Sequence, residues 1–188
     1  MELLTIDQII SLTQEETQGL DPEIREGIVL NQTELPVSEL DRLKKQLQIQ
    51  DLDPIFRKNI LAYNWGQIGF LSYQFGYGDG TSLTWLIIRN LEYYDYSTLQ
   101  ESSLIIANGD PYTILLDCQS GAVYAVDAEM TYDEKIWLAP DFLAFVRAMG
   151  TAQSAVWKGC ESDFIHLMTR KGHESSLIFW QSLVGFYD

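Results

Sequence analysis

Residues 104–149 read LIIANGD, PYTILLD, CQSGAVYAVDAE, MTYDEK and IWLAPDFLAFVRAM, and their pattern decides the architecture. The first piece is a short apolar strand. The next two form a hairpin over 110–117 and 122–127 around Gln119-Ser120-Gly121, with the glycine supplying the turn. Ile114 and Leu116 alternate on one face of the first arm, and Tyr124 and Val126 do so on the return arm. Pro140-Asp141 then opens a helix. Phe142, Phe145, Val146 and Met149 recur in it at i, i+3, i+4 and i+7, and Gly150 is its expected stop.

Working outward, Ile68-Gly69-Phe70-Leu71-Ser72-Tyr73 leads into a glycine-rich turn at 76–80. Residues 81–91 carry Trp85, Ile87 and Ile88 and are β-prone, so the two segments are expected to pair as an antiparallel hairpin. Upstream, Ser38 with Asp41 makes an approximate capping box before the apolar stripe Leu40, Leu43 and Leu47. Asp53-Pro54 is a cap followed by a first-turn proline; Phe56, Ile60 and Tyr63 share one face, and Asn64 with Gly66 closes that helix. Residues 1–37 form an N-terminal helical extension, with Ile6, Ile9 and Ile10 at helical spacing and a second start at Asp21-Pro22. After Gly150, helices are expected over 161–170 and 175–186, divided by Gly172. Helices first, a meander in the middle and helices last predict one α+β domain of a twisted antiparallel sheet packed against helices. Its core would be 38–150, with extensions at 1–37 and 151–188. The aromatic tail, with Phe179, Trp180, Phe186 and Tyr187, either packs on the core or mediates a dimer, and composition leaves the oligomeric state open.

The chain of 188 residues carries a net charge of −15. Such a field repels nucleic acid and anionic membrane and draws cationic partners, although acidity also serves solubility alone. The acid is unevenly placed: residues 79–141 hold eleven Asp and Glu against Arg89 and Lys135, and residues 1–37 hold eight against Arg25. Cys118 and Cys160 are too few for a disulfide framework and are expected as free thiols. The opening MELLTIDQII lacks a basic region and an apolar segment of signal length, and no run reaches membrane-spanning length, so a cytoplasmic protein is expected.

Candidate chemistry is sparse. Asp127 and Glu129 are two apart at a strand end, where paired carboxylates serve acid–base work or a metal; a hydrogen-bonded turn on a solvated surface is the simpler reading. Gly76-Tyr77-Gly78-Asp79-Gly80 lacks the Lys-Ser/Thr end of a phosphate loop and is expected not to open a helix. His166 and His173 match no metal-ligand spacing, and no nucleophile motif is present, so no catalytic residue, metal or cofactor is expected. The five tryptophans are expected mostly as core or half-buried anchors. Glu92-Tyr93-Tyr94-Asp95-Tyr96 combines rigid aromatic area with charge, as protein interfaces do, or else is an edge strand whose tyrosines pack half inward. Glu129, Asp133 and Glu134 add acid from the loop before Ile136. These eight residues are the candidate partner-binding set.

The order of pieces also carries a likeness. LDPIFRKNILAYNWG at 52–66, Ile106-Ala107, Asp110, Leu116-Asp117, Gly121, Val123-Tyr124, Asp127, Ala139 and Phe142 with Phe145 together resemble the SUKH superfamily over roughly 38–150. That superfamily includes the Smi/Knr-type fungal regulators of cell-wall synthesis and many bacterial immunity proteins. The sequence departs from the pattern at Asp53, inserted between Leu52 and Pro54, at Ala128, where a histidine is common, and at Asp141, in place of serine. The resemblance implies an α+β fold and a non-enzymatic, protein-binding role. For a bacterial member it implies neutralisation of a toxin by direct binding, without saying which toxin. The acidic, Tyr-rich face adds the separate expectation of a basic, nuclease-like partner that it occludes. The alternative is a regulatory scaffold or adaptor, as in the fungal branch.

Overall fold

Among the described residues, six strands lie side by side in sequence order. β1 (Gly69–Phe70), β2 (Tyr73–Gln74), β3 (Ser103–Asn108), β4 (Thr113–Asp117), β5 (Val123–Val126) and β6 (Ile136–Ala139) form one antiparallel meander. This is a computed structural model, and it describes residues 1–78, 80–92, 102–171 and 174–186. Helices α1 (Ile6–Glu16), α2 (Pro22–Glu26), α3 (Ser38–Leu47) and α4 (Pro54–Ala62) precede the sheet. α5 (Thr84–Glu92) falls between β2 and β3, and α6 (Phe142–Lys158), α7 (Glu161–Lys171) and α8 (Leu177–Val184) follow β6. The fold is α+β.

The hairpin expected at the centre is present: β4 and β5 pair Leu116 with Val123 and Thr113 with Val126. Alternation gives the sheet two unequal faces. Leu104, Ile106, Ile114, Leu116, Val123 and Ala125 join the main core, whereas Ile105, Leu115 and Val126 form a small separate cluster. A register shift in β3 between Ile105 and Ala107 lets Ile106 and Ala107 both enter the main core.

α6 runs through the main core and packs on α1, α4, α7 and α8. Phe142 meets Trp65 and Phe56 edge-on, at 5.0 and 5.1 Å between ring centres. Of the aromatic tail, Phe179 and Trp180 pack inward and are fully buried, with Trp180 against Phe145 and Phe164; Phe186 is half-buried, and Tyr187 lies outside the described residues. Burial of side chains of this size contributes roughly 1.5–3 kcal/mol each. Trp65 and Trp85 are buried as well, Trp137 is half-buried, and Trp157 is exposed.

Four local expectations are corrected. Residues 81–91 are not a strand; 84–92 is α5, and the partner of 69–70 is 73–74. Leu83, Leu86 and Ile87 turn toward the core at helical spacing, so amphipathic packing overrides the β preference of Trp85, Ile87 and Ile88. The first turn of α5 is held from outside, since the Leu83 amide donates to Glu39 Oε2 at 2.7 Å. Gly150 does not stop α6. The helix passes through it because Ile9 of α1 occupies the space of a side chain there, and it ends at Gly159, whose φ is +62°. Ser38 is the first residue of α3 rather than its cap, and Val37 makes no side-chain cap bond. α4 ends at Ala62, before Asn64 and Gly66, because Tyr63 turns extended and bridges to Gln32. Its start is as expected, with Asp53 Oδ1 accepting from the Phe56 amide at 2.8 Å.

Candidate protein-binding face

The outer face of β3–β6 and the connection from β5 to β6 are where the acidic and aromatic residues gather. Along β5, Tyr124 points away from the main core and packs on the small cluster of Ile105, Leu115 and Val126. Its strand partner in β6 is Trp137. A 3-10 turn at Tyr132–Glu134 folds Tyr132 back over the same cluster, where its hydroxyl lies 3.0 Å from Ser103 Oγ. Burial, and then the charge of Asp117, raises the Tyr124 phenol above its ordinary value, so the ring stays neutral.

The connection is ordered by its own carboxylates. Asp127 Oδ1 accepts from the amides of Glu129 at 2.8 Å and Met130 at 3.0 Å, so the pair Asp127 and Glu129 forms a hydrogen-bonded turn. Glu134 Oε2 accepts from both the amide and the hydroxyl of Thr131, each at 2.8 Å. Those bonds, amide first and hydroxyl second, hold the Glu134 carboxyl below its ordinary value. Asp127 and Glu134 therefore shape the loop, while Glu129 and Asp133 stand exposed without a hydrogen-bonding or ionic partner for their carboxylates among the described residues.

The two cations of this acidic stretch are turned onto aromatic rings. Lys135 Nζ lies 3.7 Å from the centre of the Tyr132 ring and 5.0 Å from that of Tyr124. Arg89 is buried in α5, with its guanidinium 5.7 Å from the Tyr77 ring and 5.8 Å from the Trp85 ring, and it donates to Gln74 O at 3.0 Å. Among the described residues the single ion pair is Arg42 with Glu39, away from this face.

Glu92 is the exposed last residue of α5. Two residues earlier, Asn90 ties that helix to Ile105 beneath the outer cluster. Of the eight candidate binding residues, Glu129, Asp133 and Glu134 share one loop and Glu92 ends the neighbouring helix; Tyr93, Tyr94, Asp95 and Tyr96 lie outside the described residues. Sequence reasoning missed Tyr124, Tyr132 and Lys135 as a unit, because their meeting depends on the 3-10 turn.

The remaining candidates resolve simply. The glycine-rich turn does open a helix, against expectation, yet the Glu39 carboxylate already occupies the Leu83 amide and Ser82 Oγ accepts from the Thr84 amide at 3.3 Å. His166 is exposed on α7, and His173 lies outside the described residues. Cys118 and Cys160 are free thiols. Among the described residues, no three His, Cys, Asp or Glu side chains cluster to hold a metal, and no helix is long and apolar enough to cross a membrane. Compared with known proteins, the chain matches no family model and no curated protein.

Proposed function

We propose that this chain acts by binding another protein, as a SUKH-type immunity protein that occludes a basic toxin domain, a nuclease being the best-matched kind, in the cytoplasm. One observation carries the reading. Glu92, Glu129 and Asp133 are exposed without ionic partners among the described residues, and the connection from β5 to β6 holds Asp127, Glu129, Asp133 and Glu134 against Lys135. A face with this excess of acid keeps a net negative potential. Such a potential raises the rate of encounter with a basic cleft and selects against acidic partners. Tyr124 and Tyr132 supply rigid contact area beside the charge. In this reading the protein performs no reaction and carries no cofactor; it blocks the partner's site by occupying it.

The test is affinity capture from the native host at low and high salt, with wild type beside the triple variant E92K/E129K/D133K. The expected result is one basic protein, retained at low salt, released at high salt and not captured by the variant. Recovery of cell-wall or signalling proteins would favour the scaffold reading. Equal capture by the variant would remove this face from the account.

A further inference from the structure

The guanidinium of Arg147, on α6, meets no carboxylate within ion-pair distance among the described residues. Its Nε donates to Leu4 O at 2.8 Å and its Nη2 to Leu3 O at 3.0 Å. The Leu4 amide donates in turn to Thr151 Oγ1 at 2.9 Å. These bonds fix the guanidinium plane against the segment before α1, but they set only neutral carbonyls against its charge. Beside it lies a cavity of about 450 Å³, a size that suits a small molecule. Arg170 and Lys171 line the cavity from the last turn of α7, on the same face as Leu167. Three cations from two helices therefore share one site. Glu2 is the one acid on its wall among the described residues, and Leu3 and Leu167 belong to its apolar part.

A basic pair at a helix C-terminus is ordinary by itself, because it complements the helix dipole. α3 ends in the same way, with Lys44 and Lys45 in its last turn. The α7 pair differs in meeting a third cation across a cavity. Gathering like charges is unfavourable, and Glu2 stands beyond ion-pair distance of all three. The net charge of −15 also repels free anions, so an anion that binds must be held by local groups. Phosphate matches the groups present. Guanidinium forks donate to it through paired bonds, lysine serves it as a point charge, and its monoesters carry about two negative charges near neutral pH. The cavity is far larger than a bare phosphate, which leaves space for an organic body against Leu3 and Leu167. We propose that the cavity between α6, α7 and residues 2–3 binds a small phosphate-bearing molecule. The site uses no residue of the acidic face, and it stands or falls apart from that reading.

The test titrates inorganic phosphate, phenyl phosphate and malonate, at constant ionic strength near neutral pH, into the ¹⁵N-labelled full chain. Phenyl phosphate should give saturable shifts of the Arg147 Nε–H and of the Leu167 and Arg170 amides. It should bind more tightly than inorganic phosphate, and malonate should bind most weakly. R170Q/K171Q, at exposed positions, should weaken binding at least roughly tenfold. K44Q/K45Q should leave it unchanged, and Glu2→Gln should tighten it. Equal binding of inorganic phosphate and its ester would keep the phosphate site and remove the organic body. Malonate binding as tightly as the phosphates would overturn phosphate as the ligand class. No saturable shift, or an equal loss in K44Q/K45Q, would overturn the site.

Discussion

Asn90 pairs with Ile105 as a strand would: its Nδ2 donates to Ile105 O at 3.0 Å and its Oδ1 accepts from Ile105 N at 2.8 Å. Among the described residues β2 reaches β3 only at Gln74 opposite Asn108, and no strand of theirs lies on that side of β3 at Ile105. A side chain from α5 closes that edge instead, which also fixes the helix beneath the binding face. Asn90→Ala would leave two backbone groups unpaired around a buried residue, at about 1–3 kcal/mol for each buried group. We expect a loss of about 2–4 kcal/mol in urea unfolding, with faster amide exchange at Ile105. Asn90→Asp should recover little, because its carboxylate would face Ile105 O.

Gly121 turns the β4–β5 hairpin directly over the cap of α4. Its φ is +77°, and a Cβ there would stand 2.6 Å from Asp53 Cγ. Gly121→Ala should cost about 2–4 kcal/mol, from the left-handed backbone together with the clash. Asp53→Ala alone should cost about 1 kcal/mol through the lost cap. The double variant should be more stable than the sum of the two losses predicts, measured by unfolding in a double-mutant cycle.

Glu39 links α3 to α5 by accepting from Leu83 N and Arg42 Nη2, both at 2.7 Å. Glu39→Ala should destabilise the fold by about 1–2 kcal/mol, since a helix cap and a charge-assisted bond are lost together. Glu39→Gln keeps an acceptor for Leu83 N and should lose less than half as much. Thermal unfolding of the two variants side by side checks this.

Cys118 is buried, and burial, helped by the charge of Asp117, pushes its thiol up to about 12. The unfolded chain ionises this thiol near the ordinary value, about 8.5. The folded form is therefore favoured without penalty below that pH and loses stability as pH rises from there toward 12, by up to about 1.4 kcal/mol per pH unit. Cys118→Ser or Cys118→Ala should flatten that alkaline decline. In the native state at pH 8, Cys118 should also resist a thiol reagent until the protein is unfolded.

The three strands β3 to β5 and the starts of α4 and α6 were legible because each depends on local pattern: strand alternation, a Gly turn, and an aspartate before the first turn, whereas β6, four residues just ahead of the α6 cap, was not legible as a strand. What misled was tertiary. Trp85, Ile87 and Ile88 carry strand propensity, and only the core beside Leu83, Leu86 and Ile87 makes 84–92 a helix. Gly150 looks like a stop until Ile9, far away in sequence, fills the space above it. The acidity of the loop could be read directly. The division of labour within it could not, because it depends on Thr131 bonding Glu134 and on Tyr132 folding back over the sheet.

The central claim is that a face with an excess of exposed acid drives association. The most direct measurement is the association rate of the captured partner with wild type and with E129K/D133K, followed across a series of salt concentrations by surface plasmon resonance. The account predicts that wild-type association slows steeply with salt, roughly tenfold or more. It also predicts that the variant associates slowly at all salts, and that dissociation changes little. Association rates that are independent of salt and equal in the two proteins would contradict it.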